Sequence, residues 1–108
     1  MPVRIKQEEH ATTAYLVGEI DHHSARRMRE EIDRMIESAR PSLLILDFSQ
    51  VTFMDSSGIG LVMGRYKTLT LSGGQSMEVR GVSNQTARVM KLAGLERLDV
   101  LSKGGKTK

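Results

Sequence analysis

An acid, two hydroxyls and two glycines lie together in one short stretch of this chain, Phe53-Met54-Asp55-Ser56-Ser57-Gly58-Ile59-Gly60. Side chains of these types can cap a helix, bind an anion or present a serine to another protein. The stretch follows a wholly apolar run and precedes an amphipathic one, which predicts the turn between a buried strand and a helix. We call it the serine junction, and it is the first indication of function.

Catalysis at the serine junction would need a base, for which His22 and His23 are the candidates. The Gly-x-Ser-x-Gly motif is absent, and the adjacent Asp55 and Ser56 side chains do not supply the geometry of a catalytic triad. Consecutive histidines on a helix point about 100° apart and cannot share one metal ion. Cysteine is absent, which excludes thiolate chemistry. We therefore expect no catalytic residue, no metal site and no cofactor.

The glycines allow a second interpretation, because a glycine-rich turn between a strand and a helix resembles phosphate-binding loops. Gly58, Gly60 and Gly64 give G-x-G-x-x-x-G, which misses the dinucleotide fingerprint by one residue, and Gly-Lys-Ser/Thr is absent. Close packing is the simpler explanation, since Gly60 and Gly64 share one helix face. A small phosphate- or nucleotide-binding enzyme stays as an alternative.

The two serines also have two interpretations. One of them, Ser56 or Ser57, is expected to cap the following helix. A serine at an exposed helix start is also a good phosphorylation site, because a phosphate adds about −1.5 to −2 charges that the helix N–H groups and dipole tolerate. A partner burying this surface would then meet a dianion beside Asp55, and a penalty of ~3 kcal/mol lowers affinity more than a hundredfold. The junction therefore predicts a local binding switch.

Hydrophobic periodicity predicts the elements that position this junction. Their order is β-β-α-β-α-β-α-β, which indicates an α/β fold with an antiparallel N-terminal hairpin, parallel strands and packed helices. Asp21 is placed to cap the first helix, and Arg40-Pro41 to end it. The expected strands lie at 3–7, 14–20, 42–48, 77–80 and 98–100, with the hairpin connection at 10–12.

The helix patterns also predict which side chains are buried. In the first helix the charges are expected to pair at i,i+4 on a solvated face, Arg29 with Asp33 among them. In the second helix the predicted apolar stripe excludes Arg65 and Lys67 and comprises Ile59, Val62, Met63, Tyr66 and Leu69. The third helix, capped by Ser83, is expected to turn Val89, Met90 and Ala93 inward.

Length and composition limit the class of protein. The 108 residues are enough for one domain, which we expect over 1–101, followed by a disordered basic tail at 102–108. The net charge of +3 equals the three lysines of that tail, so the rest shows no basic stripe for nucleic acid. No apolar run approaches the roughly 20 residues of a membrane span, and no signal-peptide pattern is present. A cytoplasmic protein without direct contact to nucleic acid or membrane is expected.

Two segments closely resemble a known family: Gly18-Glu19-Ile20-Asp21-His22-His23, and the serine junction with its continuation to Lys67. The family is that of the anti-sigma factor antagonists, which are STAS domains, and the sporulation members acting on the anti-sigma-F factor look closest. The resemblance covers nearly the whole chain. It departs at the end, where family members usually add a helix after the last strand and this chain has Ser102 to Lys108.

The resemblance implies a partner-switching regulator and not an enzyme. Its unphosphorylated form would bind an anti-sigma factor that is also a serine kinase of the GHKL ATPase class (SpoIIAB-like), and so release the sigma factor. The kinase would phosphorylate the serine directly after the acid, here Ser56, and a metal-dependent serine phosphatase (SpoIIE-like) would reset it. A STAS regulator of another pathway, such as the general stress response, is the alternative. The implied partner face comprises Asp21, His22, Asp55, Ser56, Ser57, Gly58, Ile59 and Gly60.

Overall fold

The computed structural model describes residues 2–95, which form a four-stranded sheet and three helices. Strands lie in the order β1-β2-β3-β4, with β1 antiparallel to β2 and the other pairs parallel. This confirms the predicted mixed sheet, while the predicted strand at 98–100 and the tail at 102–108 lie outside the described residues. The elements are β1 (Val3–Gln7), β2 (Ala11–Ile20), α1 (His22–Ala39), β3 (Leu43–Met54), α2 (Ser57–Leu71), β4 (Ser76–Arg80) and α3 (Asn84–Leu92).

The hairpin between β1 and β2 turns earlier than predicted. Strand β2 begins at Ala11, and the Glu8 N–H donates to the Ala11 carbonyl at 2.8 Å. The expected connection at 10–12 is therefore wrong. Thr12 and Thr13 pair with the end of β1 instead, since β-branched residues fit a pleated strand.

The hydrophobic core lies on one face of the sheet, under α1 and α2. Leu44, Leu46 and Phe48 of β3 belong to the same apolar cluster as the buried side chains of both helices. Because side chains alternate along a strand, Ile45 points to the opposite face. It is nevertheless buried, between its register partners Thr13 and Glu78. The wholly apolar run of β3 thus marks a central strand, as predicted.

Helix α1 follows its sequence pattern closely. It ends at Ala39, and Arg40 takes a left-handed conformation with φ of 45° immediately before Pro41. This agrees with the rule that the residue before a proline avoids the right-handed helical region. Its buried side chains recur at helical spacing on one face and are Ala25, Met28, Ile32, Met35 and Ile36.

Helix α2 departs from its predicted stripe at two positions. Met63, predicted to lie inside, is 45% exposed, whereas Arg65, predicted to lie off the stripe in solvent or at the edge of a partner, is only 5% exposed. The cause is an ion pair with Asp33 of α1, which lets a charged side chain occupy an inward position. Lys67 is exposed as predicted, and Tyr66 is half-buried against the core.

Helix α3 is short, and its predicted inward face is wrong in part. Ser83 caps it as expected, accepting from the Thr86 N–H at 3.1 Å. Met90 is buried, but Val89 and Ala93 are exposed, because a nine-residue helix resting on the core along one line has few inward positions. Within residues 2–95, none of the helices combines the length and apolar character needed to cross a bilayer.

Candidate functional site

The sheet brings the two halves of the predicted partner face to one edge. Ile20 of β2 and Met54 of β3 are register partners in adjacent parallel strands. The residues that follow them, Asp21 and Asp55, therefore both lie where strands end and helices begin. The Asp55 N–H donates to the Ile20 carbonyl at 3.0 Å, which ties the two segments together.

Asp21 caps α1 through a reciprocal set of hydrogen bonds. Its Oδ1 accepts from the His23 and Ser24 N–H groups, both at 2.9 Å, and the Asp21 N–H donates to Ser24 Oγ at 2.9 Å. The Ser24 hydroxyl in turn donates to the Glu19 carbonyl at 2.6 Å. The Ser24 N–H, as the largest influence, lowers the pKa of Asp21 below its ordinary value. The cap predicted from sequence is confirmed, and it places a negative charge on the predicted partner face.

The start of α2 is capped differently from the prediction. Ser56 occupies the N-cap position, but its backbone is helical (φ −63°, ψ −14°) and its side chain makes no capping hydrogen bond. A capping serine needs an extended backbone to reach the N–H groups ahead of it. Asp55 caps the helix instead, because its Oδ1 accepts a hydrogen bond from the Ser57 N–H at 2.8 Å. The expectation that a serine caps this helix is therefore wrong.

The two serines of the junction consequently differ. Ser56 is exposed, and no capping role occupies its hydroxyl. Ser57 is the first residue of α2, is half-buried and lines the space between α1 and α2. Of the two serines, Ser56 is therefore the more exposed.

The glycines also differ from one another. A Cβ on Gly58 would collide with the side chain of Met54, which packs closely on this position and would have to move aside. A Cβ on Gly60 or Gly64 would meet nothing within 4 Å, so the close packing predicted for these two is wrong. Ile59 packs against the core from a half-buried position, and Gly60 is exposed.

The two histidines lie at the beginning of α1. His22 and His23 are both exposed, with ring centroids 5.6 Å apart in an edge-to-face arrangement. The Asp55 carboxylate is engaged by the Ser57 backbone, as a helix cap requires. Across residues 2–95, His, Asp and Glu side chains form no group of three able to hold a metal ion.

Sequence reasoning missed a groove between α1 and α2. It has a volume of about 570 Å³, and its lining includes Arg26, Arg29 and Arg65 as well as Gly60 and Gly64. Two glycines four residues apart on one helix face were the available signal. What they face depends on how the helices pack, which periodicity does not give.

The far part of this groove is fixed by a charge pair. Arg65 Nε lies 2.6 Å from Asp33 Oδ1, within ion-pair distance although the N–H is not aligned for a hydrogen bond. Burial lowers the pKa of Arg65, and the charge of Asp33 opposes that shift. The predicted pairing of Asp33 with Arg29 along α1 is therefore replaced by a contact between helices.

Comparison with known proteins gives consistent results. The STAS domain family matches residues 2–104. An anti-sigma F factor antagonist from Paenibacillus polymyxa is 33% identical over 100 residues, which cover 91% of this chain and 85% of that protein. An anti-sigma-B factor antagonist from Bacillus subtilis (strain 168) is 31% identical over 94 residues, covering 87% and 84%.

Solved structures show the same fold. The anti-sigma factor antagonist SpoIIAA in its unphosphorylated form matches with a TM-score of 0.68 and 28% identity, covering 83% of this chain and 82% of that one. The Bacillus cell fate determinant SpoIIAA in its phosphorylated form matches with a TM-score of 0.71 and 26% identity, covering 97% and 95%.

Proposed function

This chain belongs to the STAS domain family and is an anti-sigma factor antagonist, a regulatory protein rather than an enzyme, and we propose that phosphorylation of Ser56 switches it. In the unphosphorylated state it binds an anti-sigma factor that is a GHKL-class serine kinase, and the sigma factor, sigma-F, is released. The kinase transfers a phosphoryl group from ATP to Ser56 and the complex separates. A SpoIIE-like, metal-dependent serine phosphatase restores the binding form, and the cycle runs in the cytoplasm.

The observation that carries this proposal is that Asp55, and not Ser56, caps the start of α2. Asp55 supplies the helix cap, so the hydroxyl of Ser56 is not needed as a cap and can accept a phosphoryl group. The Ser56 residue is also exposed. Two neighbours with the same functional group are therefore not equivalent, because Ser57 is half-buried beside α1. The similarity to SpoIIAA, which has been solved in unphosphorylated and phosphorylated forms, supports control by phosphorylation.

A phosphate on Ser56 would oppose binding by charge and by volume. It would stand beside the Asp55 carboxylate on a surface that the complex buries, where uncompensated charge is costly. The first-turn N–H groups and the helix dipole favour an anion at this end of α2, so the fold itself tolerates the modification. Affinity falls while the domain stays folded.

The assignment is tested by mapping the phosphate. The protein is incubated with the anti-sigma serine kinase of its own genome and ATP, and the modified residue is located by mass spectrometry. Modification is expected at Ser56 in the wild type and in Ser57→Ala, and its loss is expected in Ser56→Ala. Phosphate confined to Ser57, or absent from the wild type, would contradict the proposal.

The second candidate is an antagonist in the general stress pathway, with sigma-B as the factor released. The observation in its favour is the 31% identity to the Bacillus subtilis anti-sigma-B factor antagonist, close to the 33% found for the anti-sigma F relative. A pull-down that identifies the sigma factor freed from the kinase when this protein is added separates the two.

A further inference from the structure

The groove between α1 and α2 continues directly from the proposed partner face. His22 and Ser57 lie at the beginnings of the two helices and line its near end. Further along, Arg26 and Arg29 of α1 form one wall, and Gly64 belongs to the wall of α2. Its volume of about 570 Å³ is enough for several side chains of another protein.

Positive charge predominates along this groove. No acidic side chain lines it, and Arg29 forms no ion pair within residues 2–95. Arg26 lies 4.0 Å from Glu30, but both side chains are largely exposed, so water screens their contact. Asp33, the acid nearest to Arg65, is already engaged by it. The groove therefore attracts negative charge.

The fold does not require glycine at two positions of the α2 wall. Gly60 and Gly64 lie in the helix without positive φ, and a Cβ on either would meet nothing within 4 Å. A helix with glycine in its interior is less stable than one with alanine there, so the two glycines do not contribute to the stability of the isolated domain. They do widen the groove, because no side chain projects from α2 at either place.

We propose that this groove binds an acidic segment of the anti-sigma kinase, with its carboxylates against Arg26 and Arg29 and its backbone against Gly60 and Gly64. The inference rests on the proposed function, since the groove extends the same partner face beyond the serine junction. Arginine suits this role because its planar guanidinium can bind a carboxylate through two hydrogen bonds.

Charge reversal tests the proposal with a matched control. Arg26 and Arg27 are neighbouring exposed arginines of α1, each with a glutamate four residues later, but only Arg26 lines the groove. In calorimetry with the kinase, Arg26→Glu is expected to weaken binding about tenfold or more and Arg27→Glu no more than about threefold. Equal effects of the two substitutions would overturn the proposal.

Filling the groove tests the role of the glycines. Gly64→Met places a side chain in open space, so the thermal midpoint is expected to stay the same or rise while kinase binding weakens about tenfold or more. Thr70→Met, at an exposed position of α2 outside the groove, is the control and should bind normally. Normal kinase binding by a folded Gly64→Met protein would contradict the proposal.

The same assay separates failure of this inference from failure of the proposed function. If the wild type binds the kinase and Ser56→Asp does not, while Arg26→Glu and Gly64→Met bind normally, the switch stands and the groove proposal falls. If the wild type does not bind, both fall. Titration with inorganic phosphate tests whether the groove binds a small anion instead. If phosphate binds saturably to the wild type but not to Arg26→Glu, and Arg26→Glu still binds the kinase normally, the groove is assigned to a small anion and the proposal is overturned.

Discussion

At the scale of single residues, two aspartates define the candidate site. Asp21 and Asp55 each follow the end of a parallel strand, and each accepts hydrogen bonds from the first turn of the next helix. A carboxylate at this place satisfies free N–H groups and interacts favourably with the helix dipole. The same two carboxylates give the proposed partner face its negative charge. Because Asp55 caps α2, the Ser56 hydroxyl makes no capping hydrogen bond.

Because Asp55 caps α2 and Ser56 does not, substitutions of these two neighbours should change the stability of the fold by different amounts. Asp55→Ala removes the acceptor of the Ser57 N–H and is expected to lower the free energy of unfolding by about 1 kcal/mol. Asp55→Asn should lower it by less, because an asparagine side chain can still accept this hydrogen bond. Ser56→Ala should change it by less than about 0.5 kcal/mol, because that hydroxyl caps nothing. Urea denaturation measures both, and a larger loss for Ser56→Ala than for Asp55→Ala would contradict this account.

Asp21 predicts a pH dependence of stability in acid. Its pKa is lowered in the folded protein from the ordinary value of 3.8, chiefly by the Ser24 N–H. The stability that this implies is fully present above the unfolded pKa and is lost as the pH falls through the folded pKa. Urea unfolding followed from about pH 5 to pH 2 should show a shallower loss of stability in Asp21→Ala than in the wild type. Parallel curves for the two proteins would contradict the assignment.

At the scale of elements, the contact between α1 and α2 sets the geometry of the proposed partner face. Both helices begin at that face, and Arg65 and Asp33 join them further along, with Arg65 almost wholly buried. A buried charge is tolerated only with a partner, so the pair specifies how the two helices lie against each other.

Removing Asp33 and removing Arg65 should lower the free energy of unfolding by different amounts. Asp33→Ala leaves the Arg65 charge buried without compensation and is expected to lower the free energy of unfolding by about 3 kcal/mol. Arg65→Met should cost less, because Asp33 is partly exposed and can remain hydrated. Thermal and urea unfolding of both single variants and of the double variant measures the coupling. The account fails here if Arg65→Met is the more damaging single change, or if the double variant is no better than Asp33→Ala.

The helices also show how far sequence patterns predict this structure. Helix α1 could be placed from Asp21 to Pro41 because its apolar and charged positions separate cleanly. Helix α2 could not, because periodicity treats Arg65 as a solvent residue and Met63 as a core residue. Only the packing of α1 reveals that Asp33 neutralises the arginine. The choice among adjacent caps at the junction likewise depended on the backbone conformation of Ser56, which residue types do not determine.

At the scale of the whole molecule, one topological feature assembles the site. The parallel pairing of β2 with β3 places segments more than thirty residues apart in sequence at a common edge, with Ile20 opposite Met54. The order of strands and helices predicts parallel strands, but the two halves of the proposed partner face come from the family resemblance and not from this pairing. The groove beside them needed the helix packing and was not predicted.

Relatives from two sigma-factor pathways match this chain almost equally. Relatives that antagonise anti-sigma F and anti-sigma-B factors match this chain with 33% and 31% identity. The switch chemistry that we propose is the same for either pathway, because it depends on Asp55, Ser56 and the start of α2. A measurement of the switch therefore tests the account without knowledge of the pathway.

The most direct test compares the affinities of the unmodified protein and of the protein phosphorylated at Ser56 for the same kinase. The account predicts that phosphorylation weakens binding more than about a hundredfold, corresponding to ~3 kcal/mol, while circular dichroism shows the same fold. Equal affinity of the two forms, or loss of binding accompanied by unfolding, would contradict a local switch at Ser56.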